Sequence, residues 1–509
     1  MKFFDRLVNR IEKGEVPFSL YVFTFLSAIT LRNFLEYLVA QIHVKRLEWD
    51  VPVHYALFYI SLGLSIVLLL HLMSGEKIEK VARTVSVGFL IIATVPVTDL
   101  LLQIIWRYPI TYLYMVPERH EDILRNFLLF FGDHLGAPPG MRLEIFCAML
   151  FCGLYVFSKT KSIIRAVATG VLLYIIIFWC YMAICYLTEW LENALGLPMD
   201  TTDRMMMDAY LFLSLNTLIA LLYLFKKDFF KAILKDISLS RVLHYSIMAA
   251  FGYLIGYNCG GTGFNGLPDF LEAYFLFAAI VFAFLFSTVT NNMADIEIDK
   301  ISNPKRPTVT GKIPLDIYIR IGFISLFLAI IYSFAAGYMV LFYTLCFICN
   351  YFLYSMPPLR LKRVPVLSKA VIGLNSLVIM LAGYTLAGKD ILNFPPGIAA
   401  FVFICFTLCS NFIDLKDYRG DMAVGIRTLP VMMGMNKSKL AIGLLFALSY
   451  ALFPYFFGMQ EIGVPFIILG ILFLFAINKK NYKEGIIFGI YLTSAMLLFI
   501  YLLVKGNIV

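Results

Sequence analysis

About fifteen predominantly apolar stretches, each near 20 residues, follow one another along this chain, and a stretch of that length crosses the hydrocarbon core of a bilayer as one α-helix. Backbone polar groups inside lipid have to be satisfied within their own segment, which leaves a helical bundle as the fold for such a series. Composition agrees: 61% of the 509 residues are hydrophobic and 15% are charged, too few polar residues to cover a soluble protein of this length. The expected fold class is therefore an all-α polytopic membrane protein. Six spans fall in the first half, at about 17–42, 53–74, 82–106, 142–158, 163–187 and 207–225. Nine fall in the second, at about 242–258, 268–292, 314–335, 337–354, 368–387, 396–414, 438–457, 462–478 and 484–504. No cleavable signal peptide is read in the charged segment Met1 to Glu15.

Every second loop is basic. Lys77, Lys80 and Arg83 follow the second span, Lys159, Lys161 and Arg165 the fourth, and Lys226, Lys227, Lys231 and Lys235 the sixth. The alternation continues through Lys305 and Arg306, then Arg360, Lys362 and Arg363, then Arg419 and Arg427, and last Lys479, Lys480 and Lys483. Positive charge is retained on the cytoplasmic side, so these loops are expected there. The net charge of +9 reads as topology and contact with anionic lipid, not as a nucleic-acid footprint. The segment Asp228 to Ser240 alternates apolar residues with Lys and Asp, as an interfacial amphipathic helix does. It marks the expected boundary between a six-helix membrane domain, 1–228, and a nine-helix domain, 229–509.

Two acidic clusters stand at the ends of apolar runs. Asn291, Asp295 and Asp299 are spaced i, i+4, i+8; Asp414, Asp417 and Asp421 are spaced i, i+3, i+7. On a helix each set projects from one face. Like charges so placed repel one another unless a cation sits between them. Hard oxygen donors without His or Cys point to Mg2+. Either cluster alone reads equally as a solvated helix end. As a pair they read differently, because each leads into a basic loop, Asn303-Pro304-Lys305-Arg306-Pro307 and Gly425-Ile426-Arg427-Thr428-Leu429-Pro430. Acid for a metal and base for phosphate oxygens together suggest a bound diphosphate.

The run from Asn291 to Gly311 resembles the first signature of the UbiA superfamily of intramembrane prenyltransferases, and the run from Asp414 to Gly434 resembles the second. Tyr354-Ser355-Met356-Pro357-Pro358-Leu359-Arg360-Leu361-Lys362-Arg363 is similar to the loop that many members carry between their fourth and fifth helices. The resemblance covers about residues 229–509. It implies transfer of a prenyl group from a polyprenyl diphosphate to a lipophilic acceptor, with Asp295 and Asp299 on one Mg2+ and Asp414, with Asp417 or Asp421, on another. Asn291 and Asn411 are then expected to orient substrate or metal-bound water. Arg306, Arg360, Lys362 and Arg427 are the candidates for diphosphate oxygens, with Lys305 and Arg363 as neighbours. Tyr354 is the aromatic best placed to steady an allylic cation. Many members have Asp directly after the leading Asn; this chain has Asn292, which preserves the Asp295/Asp299 pair but points to a lower metal affinity.

The acceptor stays open at this point. The signatures look more like the branch acting on geranylgeranylglyceryl phosphate or chlorophyllide than the menaquinone enzymes, while a phenolic or quinone precursor remains an alternative. A transporter or scaffold, with the clusters as ion sites, is the reading from another class; it ranks below transfer because the clusters lie at the ends of spans and not at the midplane. In the first half Arg32 and Glu36 are spaced to pair within a span, and Asp99 lies in another. Such charges mark either function or a packing-fixed pair. Glu121 to Phe131, and Trp190, Leu191 and Leu195, are candidates to lie along the outer membrane surface. The spacing of Cys346 and Cys349, inside an apolar span with no second pair of ligands, reads as filler.

Overall fold

A computed structural model of the chain describes residues 2–40, 50–107, 115, 122–134, 136–196, 203–261, 263–264 and 266–505. Helices dominate, and there is no strand among the described residues. Among the described residues, fourteen helical stretches are long and apolar enough to cross a membrane. The expected span over 242–258 forms a helix, Leu239–Asn258, but is not among the fourteen. Its apolarity is diluted by Arg241, His244 and Tyr245, which line the cavity described below. Glu121, part of the proposed surface segment, lies outside the described residues.

The chain divides into two compact units, residues 1–227 with 265–271, and residues 228–264 with 272–509. The first contains α1 (Lys2–Lys13), α2 (Phe18–Ala40), α3 (Asp50–Ser74), α4 (Ile78–Gly88), α5 (Thr94–Trp106), α6 (Ile123–Leu128), α7 (Pro139–Thr160), α8 (Ile163–Ile175), α9 (Ile184–Leu195) and α10 (Asp203–Phe225). Leu70, Val81, Val156, Leu173, Phe178 and Tyr210 form its shared core. The three membrane charges singled out in the sequence have partners. Arg32 and Glu36 make a buried ion pair one turn apart, and Asp99 Oδ1 accepts from the Gly140 amide at 2.7 Å, capping the start of α7. The Asp99–Gly140 bond ties α5 to α7, while Arg32 and Glu36 pair along α2, with Arg32 over the Tyr59 ring of α3 at 5.5 Å. Trp190 and Leu195 are exposed on α9.

The second unit contains α11 (Lys227–Asp236), α12 (Leu239–Asn258), α13 (Leu267–Ala294), α14 (Ile296–Ser302), α15 (Leu315–Ala335), α16 (Tyr338–Ser355), α17 (Pro365–Leu386), α18 (Pro396–Cys409), α19 (Asp414–Val424), α20 (Leu429–Met433), α21 (Met435–Phe456), α22 (Gly463–Asn478) and α23 (Glu484–Lys505). Helix α12 lies directly against α17: a Cβ on Gly252 would come within 1.7 Å of the Met380 carbonyl, and one on Gly383 within 1.9 Å of the Ala249 carbonyl. With no hydrophobic effect to drive association inside lipid, such close approach supplies dispersion contact that larger residues would forbid. On α11, Phe229, Ala232 and Ile233 share a face that packs on Leu285 and Val289 of α13 and on Ile317, Tyr318 and Ile321 of α15. The amphipathic helix thus uses its apolar stripe inside this unit. Cys346 and Cys349 are free thiols on α16.

Candidate functional site

Both acidic clusters line one cavity of about 610 Å³ in the second unit. They reach it by different backbone routes. Asn291 sits on the last turn of α13, Asp295 occupies the break before α14, and Asp299 is on α14, so the first cluster is not carried by a single helix as its spacing suggests. The Asp299 amide still donates to the Asp295 carbonyl at 2.8 Å. This α-type bond across the break keeps all three side chains on the cavity side. The second cluster rides an uninterrupted helical run, Pro396–Ala423, in which a 3-10 turn at Ser410–Ile413 leads into α19.

Each acid of the first cluster is held by cations from other segments. Asp295 accepts from Arg360 Nη2 at 2.8 Å and from Lys362. Arg360 also donates to the Ala294 carbonyl at 2.7 Å, and its own backbone is left-handed, φ 44°. A β-carbon-bearing residue adopts that conformation at a cost, and here it accompanies a side chain turned back onto the α13 terminus. Asp299 accepts from Arg306 at 2.5 Å and from Asn303 at 3.0 Å. Burial raises the Asp299 carboxyl above its ordinary value, against the pull of the Arg306 guanidinium. Burial likewise lowers the Lys362 ammonium, against the attraction of Asp295. Asp414, in the second cluster, accepts from Lys369 at 2.6 Å, while its Oδ2 is buried with no hydrogen-bond partner.

Aromatic side chains form one wall. Tyr245, Phe284, Tyr351 and Tyr354 line the cavity; the Tyr351 and Tyr354 rings meet edge to face at 6.1 Å, and Tyr245 and Tyr351 join hydroxyls at 2.5 Å. A second, apolar region is contributed by Phe406, Phe412, Phe446, Ile487 and Phe488. His244 is fixed on this side by Tyr491 at 2.8 Å and Ser376 at 2.9 Å.

Of the residues singled out in the sequence, Asn291, Asp295, Asp299, Arg306, Tyr354, Lys362, Asp414, Asp417 and Asp421 line the cavity. Arg360 reaches it through Asp295. Asn411 and Arg427 are not among the lining residues. The Asn411 amide donates to the Leu408 carbonyl at 2.8 Å, within its own helical run, because the tight 3-10 turn rotates it off the face shared by the three aspartates. Arg427 is exposed on the connection to α20, and Lys305 and Arg363 are exposed as well. Sequence reasoning missed Lys369, Asp236, Arg241 and Tyr351 as lining groups. Lys369 carries a legible signal in retrospect: it is a lysine on α17, an apolar helix, and such a residue needs a nearby acid.

These loops and helix ends can be compared with known proteins. The UbiA prenyltransferase family matches residues 249–484, which include both acidic clusters and the Tyr354–Arg363 loop. A digeranylgeranylglyceryl phosphate synthase of Methanoculleus marisnigri is 30% identical over 198 residues, 38% of this chain and 67% of that protein. This chain belongs to the UbiA prenyltransferase family. It is a multi-pass membrane prenyltransferase. Another digeranylgeranylglyceryl phosphate synthase, from Sulfolobus acidocaldarius, is 27% identical over 261 residues, 50% of this chain and 90% of that one. A solved UbiA homolog from Archaeoglobus fulgidus, bound to DMAPP and Mg2+, superposes with a TM-score of 0.43 at 21% identity, over 52% of this chain and 97% of that chain. The family match begins after α11 and the first turns of α12, so Asp236 and Arg241 precede it, as does the whole first unit up to Lys227.

Proposed function

We propose that the second unit transfers a prenyl group from a polyprenyl diphosphate to a lipophilic acceptor of the glyceryl phosphate class, using Mg2+. The observation that carries this reading is the meeting of both acidic clusters, their cations and an aromatic wall in one cavity. The relatives named as digeranylgeranylglyceryl phosphate synthases support the acceptor class. Among the described residues no three His, Cys, Asp or Glu side chains converge as a ready-made metal cage. Oxygen-only donors on two facing segments, with the Asp414 Oδ2 buried and unpartnered, nevertheless suit a hard cation that draws much of its shell from water and phosphate. Asp295, Asp299, Asp414, Asp417 and Asp421 are the residues to hold it. Bound there, Mg2+ supplies Lewis-acid neutralisation of the diphosphate leaving group.

The protein's own side chains do the rest. Arg306, Arg360, Lys362 and Lys369, each paired with a carboxylate, are the donors for diphosphate oxygens, and a magnesium diphosphate can exchange with those carboxylates charge for charge. Their positive charge favours heterolysis of the allylic carbon–oxygen bond, since negative charge builds on the departing oxygen. Tyr351 and Tyr354, which line the cavity, are the aromatic groups to steady the allylic cation and help keep water from it. The apolar region around Phe406, Phe446 and Phe488 takes the prenyl tail. Basic loops on the same side as the clusters support a cavity facing the cytoplasm.

The test is incubation of the purified chain with radiolabelled geranylgeranyl diphosphate, Mg2+ and either geranylgeranylglyceryl phosphate or a phenolic acceptor. A labelled lipid product with the first acceptor is the expected result. Product with the phenol alone overturns the acceptor class, and label recovered only as unreacted diphosphate in both reactions overturns the reading. We further propose that the first unit supplies no catalytic group: Asp99→Asn in the full chain retains turnover, and its loss would place the first unit in the reaction.

A further inference from the structure

Two acids in the cavity wall, Asp236 and Glu484, come from outside both acidic clusters, and Asp236 is the one joined to the first cluster. Along α11 the apolar stripe Phe229, Ala232, Ile233 continues, at the same helical spacing, into Asp236 and Ile237. Packing of that stripe on α13 and α15 carries the carboxylate to Asn292. Asp236 Oδ2 accepts from the Tyr318 hydroxyl at 2.5 Å and from Asn292 Nδ2 at 2.9 Å. The other end of the same amide, Asn292 Oδ1, accepts from Arg306 Nη1 at 2.5 Å. That nitrogen also reaches Asp299 Oδ2 at 2.5 Å.

Asn292 is 1% exposed, so its amide has no water to turn toward, and each end meets a partner of the complementary kind: a carboxylate at the donor end, a guanidinium at the acceptor end. Aspartate at this position would set a second carboxylate oxygen at hydrogen-bond distance from Asp236 with no proton between them, a repulsive contact in a desolvated place. With Asp236 present, asparagine is the residue that fits; with a neutral residue at 236, aspartate would fit, and it would then pair with Arg306 directly.

We propose that Asp236 and Asn292 are a matched pair in which one member is the acid, and that Asp236, acting through the Asn292 amide, positions Arg306 at the acidic end of the cavity. This accounts for Asn292 where the resemblance to the family leads one to expect Asp: the negative charge is retained but moved to a helix that precedes the matched residues 249–484. Asp236 is accordingly a positioning residue. The proposal rests on the reading of the cavity as a prenyl diphosphate site.

The experiment compares the full-length chain in lipid nanodiscs with Asp236→Asn, Asn292→Asp and the double variant, reading kcat and KM for geranylgeranyl diphosphate together with Tm. Asn292→Asp is expected to lose roughly tenfold or more in kcat/KM and to melt at lower temperature. Asp236→Asn is expected to raise KM about fivefold with a smaller change in kcat, because Arg306 loses its orientation rather than its charge. The double variant is expected to return to within about threefold of the parent in kcat/KM and to recover the Tm, the non-additivity that marks directly coupled residues. A double variant as impaired as the worse single variant overturns the pairing, as does an unchanged KM in both single variants. If the parent chain itself transfers nothing from this diphosphate, the substrate reading fails, and the four melting temperatures still decide the pairing: recovery in the double variant supports it and additive losses overturn it.

Discussion

The two acidic clusters face one cavity yet differ in how their charge is balanced. Asp295 and Asp299 are held by Arg306, Arg360 and Lys362, three cations facing the two cluster carboxylates and, through Asn292, Asp236. Asp414, Asp417 and Asp421 have one close cation among the described residues, Lys369 on Asp414; the neighbouring Lys416 is taken by Glu484 at 2.6 Å. The first cluster, with Asp236 beside it, is therefore matched cation for carboxylate, and the second carries more carboxylates than directly paired cations. The difference has a backbone origin. A broken helix followed by two loops brings basic side chains back over the first cluster, whereas the continuous run into α19 presents its aspartates to one directly paired lysine, Lys369 of α17, with Arg241 and Lys416 further off. A site that gathers several cations favours a phosphate, and an under-neutralised one favours a cation. The division of labour that follows is a proposal: diphosphate affinity resides mainly in the first cluster, and metal affinity mainly in the second.

The largest effect is expected from Asp414→Ala, with a loss of turnover of roughly 10²-fold or more in a prenyl transfer assay at saturating Mg2+; activity within a factor of two of the parent would remove the second cluster from the mechanism. Lys369→Met is expected to destabilise the fold by about 3 kcal/mol, since it strands a buried carboxylate. That loss should show in thermal or denaturant unfolding and should shrink when Asp414→Asn is added. The comparison itself is sharpened by Lys362→Met and Asp417→Asn. The first should raise KM for the prenyl diphosphate roughly tenfold with little change in the Mg2+ concentration at half activity, and the second should do the reverse. Identical profiles for the two variants would dissolve the distinction between the clusters. The smallest effects belong to Asn411→Ala and Arg427→Ala, each expected to stay within about twofold of the parent. A large loss in either would mean that the connection to α20 closes over the cavity during turnover.

Much of this protein is legible in its residues because a bilayer allows few solutions. Apolar length alone fixes the spans, and the structure keeps nearly all of them where hydropathy puts them. The departure at Leu239–Asn258 has a local cause, since that helix spends polar residues on the cavity. Asp295, Asp299 and Asp414 are equally legible, because a carboxylate at the end of an apolar run has to be satisfied by something. Asn411 lies off the lining of the cavity, because a 3-10 turn changes the angle between successive residues and no residue type announces it.

By itself, then, the sequence determined the helical membrane fold, the pairing of acid with base in two signatures and the family to which they belong. All of these are properties of composition and of spacing within tens of residues. Only the tertiary structure decided which cation serves which acid, that Lys369 of α17 answers Asp414 across 45 residues, and that Asp236 answers Asn292 across 56. Ion pairs and amide orientation depend on distances of a few ångströms between side chains brought together by helix packing. Two residues that complement each other only in contact carry no mark of it along the chain.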